Sequence, residues 1–101
     1  MLDTPTNLAS LLSDTELLVT KAYVDGAFGD AASGATFSVT NPARGDVIAQ
    51  VADFDRADVA KAIASAVTAQ KAWAARAAKE RANILRRWYE LIMAAQDDLA
   101  I

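Results

Sequence analysis

Apolar positions along the chain change their period near residue 55, and that change separates two kinds of structure. Before it, apolar and polar residues alternate in short runs. Residues 17–28 read as extended, with Val19, Tyr23, Val24 and Phe28 as strand-forming side chains. Within them, Asp25-Gly26 is a two-residue hairpin signal, because glycine accepts the positive φ of a type I′ turn. Residues 37–40 and 47–51 alternate again, placing Val47, Ala49 and Val51 on one face. Between them, Asn41 favours entering a turn, Pro42 fixes φ and Gly45 supplies a left-handed position. Two strands joined in this way make an antiparallel hairpin, and these three residues are read as turn formers rather than a site.

From Asp55 the period becomes 3.6. Asp53 or Asp55 can cap the helix that follows, and Asp58 suits the positive end of its dipole. Val59, Ile63, Ala66, Val67, Gln70 and Trp73 trace one face, and the helix is predicted to run to about Ala74. Arg76-Ala77-Ala78 breaks it. A second helix is predicted as one run from Lys79 to Ile101, with Ile84, Trp88, Leu91, Ile92, Ala95 and Leu99 as its apolar stripe. The strands and first helix are expected to pack on that stripe or beside it. Arg81, Arg86 and Arg87 lie mostly off it and read as a solvated face. Ala77 stands where a cap is wanted, three residues before Glu80, but its side chain accepts no hydrogen bond. Upstream, residues 1–16 form an arm with a short helix begun at Thr4-Pro5, whose Leu8, Leu11 and Leu12 share a side. The predicted fold class is α+β: short antiparallel hairpins followed by two long helices, with an arm at 1–16 and a unit at 17–101.

Composition removes several kinds of chemistry. At 101 residues the chain is one domain or part of one, and much of its 53% apolar content is alanine, which buries little area. A net charge of −3 leaves no basic excess to neutralise phosphates, which argues against nucleic acid. Without cysteine or histidine, the thiolate nucleophile, the disulfide and the commonest general base and metal ligand are all lacking. No apolar run reaches the ~18 residues of a membrane span, and Asp3 precedes any positive charge, so a cytoplasmic protein is expected. Gly26, Gly29 and Gly34 miss the spacing of a phosphate-cradling loop. Asp97 and Asp98 diverge by about 100° on a helix and read as a solvated helix end. Tyr89 beside Trp88 reads as core or interface, and Lys21, Lys61, Lys71 and Lys79 as exposed. No catalytic, cofactor-binding or metal-binding residue is expected in this chain.

The succession YVDGAF, FSVTNPARGDVIAQV, DRADVAKAIASAVTAQKAWAA and KERANILRRWYELIMAAQDDLA resembles the NAD(P)-dependent aldehyde dehydrogenase superfamily over residues 22–101. The second helix most resembles bacterial succinate-semialdehyde dehydrogenases, with glutarate-semialdehyde dehydrogenases as close relatives. The resemblance implies a part of an α/β, Rossmann-like cofactor-binding domain, NADP or NAD as cofactor, a small aldehyde as substrate and a homo-oligomer. It also implies that the cysteine, glutamate and asparagine of the chemistry lie elsewhere, so that this chain is an N-terminal, non-catalytic piece. The carbonyl of Thr40 corresponds to one ligand of a structural cation site in some relatives. Phe28, where tryptophan is common, and Ala77, where serine or threonine is usual, depart from the pattern.

The rival reading is a self-standing α+β module whose Trp88/Leu91 stripe binds a partner helix or a second copy. The two differ in solution behaviour. As part of a larger enzyme, the isolated chain is expected to bind a hydrophobic dye or aggregate. A monodisperse monomer that melts cooperatively would support the rival.

Overall fold

In the computed structural model, which describes residues 7–101, nearly every element is closed by hydrogen bonds from its own neighbours in sequence. Helix α1, Leu8–Leu11, is capped by Asn7, whose side chain accepts the Ser10 N–H. The Thr4-Pro5 start lies outside the described residues. A single 3-10 turn, Thr15–Leu17, follows, with the Asp14 side chain accepting the Glu16 N–H at 3.1 Å. The extended run therefore starts later than Leu17, because a short acidic side chain holds the backbone in a turn there.

Strands β1, Ala22–Val24, and β2, Ala27–Gly29, pair antiparallel around Asp25-Gly26. Both turn residues have positive φ, 52° and 80°, as a type I′ turn demands. Tyr23 and Phe28 face each other across this ladder with centroids 5.0 Å apart, edge to face. Strands β3, Thr36–Thr40, and β4, Val47–Ala52, form a second, separate antiparallel sheet, with Phe37 opposite Val51 and a register shift at Val39/Thr40. Its loop is a turn, as expected. The Asn41 side chain accepts the Ala43 N–H at 2.9 Å, the Asn41 carbonyl accepts the Gly45 N–H, and Gly45 sits at φ 81°. The Asp53 N–H bonds the Ala35 carbonyl and extends this ladder by one step, and the Ala52 N–H bonds the Thr20 carbonyl and connects the hairpin to the segment before β1.

Helix α2, Arg56–Ala75, begins at a full capping box in which Asp55 and Asp58 each accept the other's backbone N–H. Of the two predicted caps, Asp55 is the one used. Helix α3, Ala78–Ala94, starts at an uncapped Ala77, and Arg76 reaches Glu80 at 4.0 Å across the break. The single run to Ile101 is interrupted. The Ala95 N–H is shared between the Leu91 and Ile92 carbonyls, the last turn tightens, and a short helix α4, Gln96–Leu99, resumes beyond it.

The expected packing on the α3 stripe is not found. Trp88 is 62% exposed, and Ile84, Leu91, Ile92 and Leu99 are exposed as well. The α2 face is equally open at Val59, Ile63 and Val67. Ala31 is the one buried apolar residue among those described. The radius of gyration is 17.3 Å, against roughly 13 Å for a compact domain of this length. The α+β class stands, with local structure well formed and the apolar faces uncovered. None of the described helices is long and apolar enough to cross a membrane.

At Ala77 the backbone angles, φ −58° and ψ 143°, are already those of a capping residue. Ala77→Ser is expected to stabilise the protein by about 0.5–2 kcal/mol, read as a rise in denaturation midpoint at unchanged slope.

Candidate functional site

Two carboxylates organise the polar contacts that reach across the chain. Asp58 is the buried charged residue, 8% exposed, at the third position of α2. One of its oxygens accepts the Asp55 N–H at 3.1 Å and the other accepts the Ala32 N–H at 3.3 Å. The same group thus closes the start of α2 and pins the loop between the hairpins, where Ala31 is buried. Its helix-start role follows from its position after a cap. Its bond to Ala32 has no local signature.

Asp98, in α4, is the second. Its two oxygens accept the Ser13 and Asp14 N–H groups, both at 2.9 Å. The N–H of Ser13, and next that of Asp14, hold this carboxyl below the usual carboxylate range. A lowered value in the folded state means that the contact contributes above the unfolded carboxylate pKa of about 3.9 and is lost as pH falls through the folded value. Asp97-Asp98 was expected to be a solvated end. The two residues do point apart, and Asp98 is the one drawn into a contact, with a segment more than eighty positions away.

The remaining candidates sort by surroundings. Lys21 pairs weakly with Asp30 at 3.8 Å, both well exposed. Arg86 stands over the Tyr89 ring at 5.4 Å, so that exposed tyrosine carries a cation on its face. Arg81 differs from the solvated arginine expected. It is half-buried, and its Nε is shut off from solvent with no hydrogen-bond partner among the described residues. Thr40 lies at the register shift opposite Val47. No group of three or more potential metal ligands occurs among the described residues.

The starts of the two long helices differ in what they offer an anion. A phosphate-binding helix offers free N–H groups at its N-terminus. Here the α2 start is taken by the Asp55–Asp58 box, and α3 carries Glu80 in its first turn. The shallow grooves run elsewhere. One lies between the Asp25-Gly26 turn and the small residues Ala62, Ser65, Ala66 and Ala69 of α2. Another is bounded by Leu8, Leu11, Pro42, Ile48 and Ile101.

Structural elements and their order, rather than a reactive centre, are therefore what can be compared with other proteins. The model of the aldehyde dehydrogenase family matches residues 28–101. The chain belongs to that family. Over 89 residues it is 49% identical to a glutarate-semialdehyde dehydrogenase of Pseudomonas aeruginosa and 45% identical to a 3-sulfolactaldehyde dehydrogenase of Pseudomonas putida. Each match covers 88% of this chain and 18% of the relative. The crystal structure of a succinate-semialdehyde dehydrogenase from Burkholderia pseudomallei superposes with a TM-score of 0.83 at 44% identity, again over 88% of this chain and 18% of that one. The chain thus spans 18% of the length of these aldehyde dehydrogenases, yet its open arrangement of hairpins and helices is found within the solved enzyme.

Asp58→Ala removes the acceptor for two backbone N–H groups at once. It is expected to cost about 1–3 kcal/mol, measured by chemical denaturation, with Asp58→Asn losing less.

Proposed function

We propose that this chain is the outer scaffold of the cofactor-binding domain of an NAD(P)-dependent semialdehyde dehydrogenase, with residues 1–16 as an arm and 17–101 as the packed part. The observation that carries the reading is 44–49% identity held along almost the whole chain, together with a TM-score of 0.83. The exposed faces of α2 and α3 support it, because side chains such as Trp88, Ile63 and Leu91 are placed to be covered. Arg81 supports it too, since its enclosed Nε suits an acceptor from a neighbouring element.

The relatives' names suggest the substrate class. Glutarate semialdehyde, succinate semialdehyde and sulfolactaldehyde each join an aldehyde to an anionic group at the other end of a short carbon chain. The proposed reaction is oxidation of such an aldehyde to the corresponding acid. Succinate semialdehyde follows from the resemblance of the second helix, and glutarate semialdehyde is equally supported by the relatives. NAD(P)+ supplies the hydride acceptor when bound. With no cysteine in the chain, the thiol nucleophile of such an oxidation is expected from other parts of the protein. The contribution of this segment is to carry and orient the domain that binds the cofactor.

The test is turnover by the complete protein containing this chain, followed by nicotinamide absorbance with NAD+ and NADP+. Succinate or glutarate semialdehyde is expected to exceed the uncharged aldehyde of equal length by at least about tenfold in kcat/KM. No reduction with any aldehyde, or a preference for the uncharged one, would overturn the proposal.

A further inference from the structure

The arm from Asn7 to Leu18 is joined to the rest of the molecule very differently from the hairpins and long helices. Its own bonds are local. Asn7 closes α1, and Asp14 closes the 3-10 turn. None of those bonds says where the arm sits. Among the described residues its direct polar attachment is at Ser13 and Asp14, whose N–H groups end on the two oxygens of Asp98, with the Ser13 side chain bonded there as well. Beyond the arm, the next attachment is the Thr20 carbonyl, which accepts from Ala52. The arm's leucines add a partial apolar contact. Leu11 is 54% exposed while Leu8, Leu12 and Leu18 are half-buried, and Leu8 and Leu11 share a groove with Pro42, Ile48 and Ile101.

The interruption at Ala95 lies three residues before Asp98, at the start of the helix that bears it. An ionised carboxylate with two lone-pair faces directed at consecutive N–H groups is matched to them in charge and geometry. The adjacent Asp97 makes no such contact and offers a control one residue away.

We propose that the N-terminal arm is a strap latched by Asp98, which undocks as a unit at Ser13–Asp14 while the hairpins and helices α2 and α3 keep their structure. The Asp98 carboxylate is a positioning group, and its removal frees the arm to leave the groove floored by Pro42 and Ile48. The proposal stands on those bonds and on the local closure of the arm's own turns, and does not depend on the substrate or cofactor.

The test is amide hydrogen exchange, resolved by mass spectrometry, on the protein in wild-type, Asp98→Ala, Asp98→Asn and Asp97→Ala forms. In Asp98→Ala, the Ser13 and Asp14 amides are expected to exchange about tenfold faster or more, with peptides from β3–β4 and α2 unchanged. Asp98→Asn keeps the side-chain volume but has one acceptor oxygen, so it should speed the same two amides to a smaller extent; it carries the test if Asp98→Ala does not fold. Asp97→Ala should match wild type. Cleavage by chymotrypsin after Leu11 or Leu12 should follow the same order. Unchanged exchange at Ser13 and Asp14 in both Asp98 variants would overturn the latch. So would an equal effect of Asp97→Ala, or a rise spread evenly over β3–β4 and α2.

Discussion

The carboxylate of Asp58 is the constraint on which the rest of this arrangement turns. It is the buried ionisable group, and it serves two masters: the first turn of α2 and the loop that leads out of the first hairpin. A carboxylate taken from water needs donors, and it finds them in two backbone N–H groups whose own partners are otherwise missing. The loop at Ala31–Ala32 is thereby fixed against the start of a 20-residue helix. The second hairpin is joined to the segment before the first by the bond from the Ala52 N–H to the Thr20 carbonyl. Placement of the β elements against α2 thus rests on a few polar links where a compact domain would use a core.

That design makes sense only beside the exposed apolar faces. Hydrophobic burial is the largest favourable term in folding, and here it is largely unspent. Val59, Ile63 and Val67 on α2, and Ile84, Trp88 and Leu91 on α3, all remain open. Aldehyde dehydrogenases of which this chain covers 18% share its shape at a TM-score of 0.83. The shape is therefore compatible with life inside a larger molecule, where those faces have neighbours. The polar links set the geometry of the elements, and apolar contact would set their stability.

Much of the local structure was legible in the residues. Asp25-Gly26 and the Asn41–Gly45 loop announce their turns because positive φ and side-chain-to-backbone bonds are written in residue type. The change to a 3.6 period marks both long helices, since periodicity is a property of the helix itself. What was not legible is everything that depends on a distant partner. Asp98 looks like one half of a solvated pair until Ser13 and Asp14 are brought to it. Asp58 looks like a helix-start charge until Ala32 arrives. The stop at Ala95 carries no glycine or proline to announce it, because alanine tolerates a tightened turn as readily as a regular one. The 3-10 turn at Thr15–Leu17 overrode strand propensity through the Asp14 cap. The family was readable from the order of the elements.

The two hairpins belong to separate two-stranded sheets, and each closes on a loop of a few residues. Almost every ladder in this chain therefore links residues close together in sequence, which is the condition for fast ordering. Such ladders can pair before any covering surface is in place. During that interval the α3 stripe, headed by Trp88 and Leu91, is the part most available to wrong neighbours. Early order in this segment is therefore paired with an aggregation hazard, and the length of that hazard is set by how quickly the uncovered faces find their proper contacts.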